Sequence, residues 1–81
     1  MSVESIRTST ESYLQSVKND PFNEFNLRTS IYRNIIKDQE EVMGLKIALI
    51  ILTAPAANSI NCTIKFHFLD KSQDQVDISV S

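Results

Sequence analysis

The sequence predicts an α+β domain in which two N-terminal helices precede a three-stranded antiparallel β-meander, arranged as two layers. Before Gly44, the only glycine, apolar residues recur at the three-to-four spacing of a helix. After Gly44 they alternate with polar residues, as in strands with one buried face. The polar stretches between these later segments are short, which is typical of antiparallel neighbours. We therefore expect residues 1–81 to form a single small domain, whose core is marginal at this length.

The first predicted helix covers residues 3–18. Ser2 is a candidate N-cap, because its hydroxyl can accept a hydrogen bond from a backbone N–H of the first turn. The apolar residues of its narrow stripe are Val3, Ile6, Tyr13 and Val17. The other positions are rich in serine and threonine, which are modest helix formers. We expect this helix to depend on packing against the rest of the domain.

The second predicted helix covers residues 21–43. Asp20 suits its N-cap, and Pro21 suits its first helical position. Gly44 suits a left-handed terminator. The residues with heptad-like spacing are Phe22, Phe25, Tyr32, Ile36 and Met43. Polar residues near the middle leave open whether the segment is one helix or two.

Three strands are predicted, at residues 45–53, 60–69 and 76–80. The second and third strands alternate between apolar and polar residues, so each should have one core-facing and one solvent-facing side. The first strand is apolar on both sides. A helix that continues through Gly44 is the alternative for this short apolar run, because periodicity alone does not separate the two.

The first strand carries more apolar surface than one layer of helices can cover. If its odd-numbered residues turn towards the helices, its other face is left open to water. The apolar residues of that exposed face are then Ala48, Ile50 and Leu52. Because exposed apolar patches usually mark contact sites, we predict an interface there, extended by the stripe of Val3, Ile6, Tyr13 and Val17. The alternative is that the first helix covers this face, with one helix on each side of the sheet.

No site with recognisable chemistry is predicted. Cys62 and His67 are the only cysteine and the only histidine, so neither an internal disulfide nor a metal site is expected. Cys62 falls on the core-facing side of its strand, where a thiol is unreactive. His67 falls on the solvent-facing side, without a catalytic motif around it. A single glycine does not build a phosphate-binding loop. We expect no enzyme activity, no catalytic residues and no cofactor.

The charge and hydropathy pattern limits the classes of partner that the protein is expected to bind. A net charge of −2 makes nucleic-acid binding an unlikely primary role, since phosphate contacts need clustered basic residues. The longest apolar run, from Ile47 to Leu52, is far shorter than a membrane span. The first 20 residues lack the pattern of a secretory signal. We expect a cytoplasmic protein, or one in a virion assembled in the cytoplasm, with protein partners and no membrane or small-molecule substrate.

These observations predict a non-enzymatic structural or interaction subunit that self-associates or docks into a larger protein assembly. A small accessory protein of a phage or virus particle is one such setting, suggested by size and not by a motif. One alternative is an intracellular inhibitor or regulator of a single target, such as a phage anti-defence protein. The other is a minor nucleic-acid-binding module that uses Arg28, Arg33 and Lys37.

Overall fold

A computed structural model describes residues 2–81, in which helices precede a three-stranded antiparallel open sheet. The helices are α1 (Val3–Val17), α2 (Glu24–Ile31) and α3 (Glu40–Met43), with a π-helical turn (Tyr32–Ile36) and a 3-10 turn (Lys37–Gln39) between α2 and α3. The strands are β1 (Leu45–Ala56), β2 (Ser59–Phe68) and β3 (Gln73–Val80), in spatial order β1-β2-β3. The predicted α+β class and antiparallel meander are confirmed. Within residues 2–81, no helix has both the length and the apolarity that crossing a bilayer requires.

The first helix begins where the sequence indicates. The Ser2 hydroxyl accepts a hydrogen bond from the backbone N–H of Ser5 at 3.3 Å, so the predicted cap is confirmed. Ile6, Thr10 and Leu14 are buried along one face of α1. This face lies against β3, which supplies the packing that a helix rich in serine and threonine needs.

The second helix begins later than predicted. Its N-cap is Asn23, whose Oδ1 accepts a hydrogen bond from the N–H of Asn26 at 3.0 Å. Asp20 and Pro21 therefore precede the helix, and their assignment as its start is wrong. At the other end, Gly44 adopts a left-handed φ of 66°, ends the helical segment and leads directly into β1.

The helical segment between Asn23 and Gly44 is continuous but not uniform. The N–H of Lys37 bonds to the carbonyl of Tyr32, five residues earlier, which is the pattern of a π-helical turn. Because this turn is wider, Ile31 and Ile36 are both completely buried although they are five residues apart. The predicted heptad-like seam is wrong at its start, since Phe25 is 70% exposed.

All buried residues of the sheet lie on the face that the helices cover. The buried residues of β2 are Ile60, Cys62, Ile64 and Phe66, and those of β3 are Val76, Ile78 and Val80. They form one cluster with the buried residues of the helices. This matches the alternation predicted for both strands, including the buried position of Cys62.

The first strand reverses the predicted assignment of its faces. Ile50 pairs with Ile64 and is buried, and Leu52 pairs with Cys62 and is buried. Ala48 lies on the same face and is partly buried against the core. The prediction that this face is exposed is therefore wrong.

One irregularity in β1 causes the reversal, and a second one ends it. The pair Ala56 and Ser59 closes the hairpin, but β1 has one extra residue before the next pair, Thr53 and Asn61. A slip of one residue moves every side chain to the opposite face, so Ile50 lies opposite Ile64. Lys46 is a second extra residue in β1. It shifts the register by one residue again, so Leu45 also faces the core. Pro55 lies in the first irregularity, where its missing N–H is tolerated.

Candidate interaction surface

The face of the sheet that turns away from the helices is called here the open face. Its outermost apolar residues lie on β1, where Ile47, Leu49 and Ile51 form a line that we call the apolar column. These side chains are 48%, 44% and 46% exposed. Full burial of one such side chain is worth about 1.5–3 kcal/mol, so three aligned residues leave substantial free energy available to a partner.

The rest of the open face is polar. Its residues are Asn61, Thr63, Lys65 and His67 on β2, and Gln73, Gln75, Asp77 and Ser79 on β3. The Thr63 hydroxyl donates to the Asp77 carboxylate at 2.9 Å, and the Ser79 hydroxyl donates to Asn61 Oδ1 at 2.9 Å. These four polar side chains thus have partners within the sheet, whereas the apolar column is about half exposed to water.

A shallow depression of about 500 Å³ crosses the open face near one end. Its lining includes Leu49, Lys65, His67 and Gln75. Within residues 2–81, no hydrogen bond joins His67 to a carboxylate or hydroxyl, and no three potential ligands gather as a metal site. The depression thus combines apolar atoms with the charged residues Lys65 and Asp74, an arrangement suited to contact with a protein surface.

Basic side chains of α1 and its C-cap residue lie along the outer edge of β3 and the residue that follows it. Arg7 Nη1 donates to the Asp77 carbonyl at 2.6 Å, and Lys18 Nζ donates to the Ser81 carbonyl at 2.7 Å. Carbonyls that point away from the sheet would otherwise accept from the N–H groups of another strand. These two contacts therefore oppose pairing at this edge.

The outer edge of β1 is protected in a similar way. Arg28 Nε of α2 donates to the Ile50 carbonyl at 3.2 Å, and the guanidinium also pairs with Glu24. Lys46 and Pro55 lie at the two irregularities of the strand, and bulges and prolines are features that limit edge pairing. Arg28, one of the three basic residues considered for nucleic-acid contact, is thus held against the sheet.

The residues predicted to form the interface lie in or against the core. Ile50 and Leu52 are 7% and 4% exposed, and Ile6 is 1% exposed. The partly buried residues packed against the same core include Ala48, Val3, Tyr13 and Val17. The alternative with one helix on each side of the sheet is also wrong, because α1 packs on the face opposite the apolar column. The first strand does leave an apolar face open, but it is the other face.

The sequence contained one usable signal for the apolar column. Both faces of β1 are apolar, so the choice between them depends on the pairing register with β2. Pro55 marks a position where a regular ladder is unfavourable, and an irregularity there shifts the register by one residue. Ile47, Leu49 and Ile51 were missed because the odd-numbered residues were expected to face the helices, without a pairing register to decide between the two faces.

No protein family, curated protein or solved structure matches the chain.

Proposed function

We propose that the protein is a non-enzymatic interaction subunit that works through the open face of its sheet. The observation that carries this proposal is the apolar column of Ile47, Leu49 and Ile51. The buried residues of the sheet pack with the helices on its other face, and these three side chains stay 44–48% exposed. A chain of this size gains free energy by burying such a column against a partner.

The protection of both sheet edges supports a contact through the face. Arg7 and Arg28 each donate to a strand carbonyl, which opposes uncontrolled pairing at the edges. Lys18 donates to the carbonyl of Ser81, the residue that follows β3. A protein whose edges are protected and whose apolar face is open is suited to a defined contact. Such a contact fits a structural or accessory subunit of a cytoplasmic assembly, including a phage or virus particle.

Site-specific photo-crosslinking tests the proposal. A photoreactive phenylalanine analogue replaces Leu49 in cells that naturally produce the chain. We expect one discrete crosslinked species, containing either a second copy or one other protein, because the apolar column contacts its partner directly. Val42 is the matched control site, since it is apolar and 71% exposed but lies on α3. Absence of a discrete species at Leu49, or the same species from both sites, would contradict the proposal.

A further inference from the structure

On the basis of the proposed function, we propose that the partner of the open face is a second copy of the same chain. The two sheets pack face to face around a two-fold axis that runs across the strands. Three features of the open face lead to this arrangement: its protected edges, the position of its apolar column and the placement of its two charges.

The protected edges favour face packing over a continuous sheet. If β1 paired with β1 of a second copy around Ile50, each Arg28 would have to leave the Ile50 carbonyl. The shifts of register near Lys46 and Pro55 also shorten the regular part of this edge. Packing through the open face requires neither change, because it leaves every edge contact in place.

The apolar column selects the direction of the axis. A two-fold axis parallel to the strands would place the apolar column over β3, whose open side carries glutamine, aspartate and serine. An axis across the strands instead places β1 over β1 of the other copy. The apolar columns of the two copies then face each other, which removes exposed apolar atoms of both copies from water.

The charges select the position of the axis. Lys65 lies in one cross-strand row with Leu49 and Gln75, and Asp77 lies in the next row with Thr63 and Ile51. An axis through the first row would bring the two Lys65 ammonium groups together. An axis between the rows places Lys65 of one copy over Thr63 of the other copy. Asp77 of that other copy lies on the strand next to Thr63, so the two opposite charges attract each other. The two-fold symmetry repeats this attraction, so each dimer contains it twice. The open face is therefore complementary in charge to a second open face.

The size of the face sets the strength of the contact. Three strands are about 14 Å wide, and the rows from Ile47 to Thr53 extend over about 20 Å. This footprint is smaller than that of a standard interface, which buries about 800 Å² per partner. We therefore expect a reversible dimer that dissociates on dilution.

Charge reversal in sedimentation equilibrium tests the arrangement. The wild type should show twice the mass of the 9.2 kDa chain at high micromolar concentration. Lys65→Glu and Asp77→Lys should each weaken the dimer at least about tenfold, because each places like charges opposite one another twice. An equimolar mixture of the two variants should form a heterodimer, in which both opposed pairs are again opposite in charge. Lys37→Glu, an exposed change on the helical side, should leave the wild-type mass unchanged.

Two further measurements distinguish loss of the dimer from loss of the fold. Asp77 accepts hydrogen bonds from Thr63 and Gln75, so circular dichroism must show that Asp77→Lys is folded. Leu49→Asp provides a second variant at an exposed position, and it should abolish the dimer without loss of fold.

A wild-type monomer at every concentration would overturn the choice of a second copy. A dimer that resists both charge reversals, or a mixture that fails to recover, would overturn the arrangement. Either result is compatible with a discrete crosslink from Leu49 to a different protein. The crosslinking experiment therefore tests the proposed function independently of the dimer.

Discussion

At the scale of single residues, Cys62 shows how burial controls the chemistry of a side chain. The residue is 1% exposed and faces the helices. Burial raises the pKa of its thiol from 9.0 to about 11, because the thiolate loses its hydration. Folding thus favours the neutral thiol. This contribution to stability is fully present below pH 9 and is lost as the pH rises through 11.

The first prediction follows from this shift. Between pH 9 and 11, the free energy of unfolding of the wild type should fall relative to that of Cys62→Ala. The expected loss is up to about 2–3 kcal/mol, since one pKa unit corresponds to about 1.4 kcal/mol. Urea denaturation at a series of pH values measures it. Cys62→Ala is also the control, because every other ionisable group is the same in both proteins. A difference that stays constant over this pH range would show that Cys62 does not titrate with folding.

At the scale of elements, the strands differ in how far their sequences determine their faces. β2 and β3 carry polar residues at every second position, so their buried sides were predicted correctly. β1 is apolar at its odd-numbered and its even-numbered positions, so only its pairing register decides which side is buried. That register depends on two extra residues in β1, which local alternation does not reveal. The existence of an unpartnered apolar face was thus predictable, whereas the identity of its residues was not.

The helical segment after α1 was likewise predictable in type but not in detail. Its apolar content indicated a helix, and Gly44 marked its end correctly. The start was placed at Asp20 because Asp-Pro is a favourable opening for a helix. Asn23 caps the helix instead, and the π-helical turn at Tyr32–Ile36 then changes which residues face the core. A heptad pattern assumes a uniform helix and therefore assigned Phe25 to the wrong side.

A pair of cap substitutions separates the two possible helix starts. Asn23→Ala should lower the free energy of unfolding by about 1 kcal/mol, because the N–H of Asn26 loses its acceptor. Asp20→Ala should change it by less than about 0.5 kcal/mol, as is usual for exposed positions away from a cap. Chemical denaturation monitored by circular dichroism gives both values. Equal losses would show that the helix has no single cap at Asn23.

At the scale of the whole molecule, one side of the sheet is covered and both of its edges are occupied by cations from the helices. α1 supplies Arg7 to β3, and α2 supplies Arg28 to β1. Lys18, the C-cap of α1, donates to Ser81 directly after β3. The helices therefore have two roles: their apolar faces build the core, and their basic flanks protect the sheet edges. Protection of both edges opposes the growth of extended sheets by strand pairing.

The last prediction tests this division of roles. The double variant Arg7→Ala/Arg28→Ala should remain folded but form species larger than a dimer over time, because strand carbonyls at both edges become available. Arg33→Ala/Lys37→Ala is the matched control. It also removes two positive charges from exposed helical positions, but within residues 2–81 neither side chain donates to a strand carbonyl. Light scattering of both proteins at equal micromolar concentration follows the growth. If both variants grow at the same rate, the cause is the loss of charge, and the basic side chains do not protect the edges.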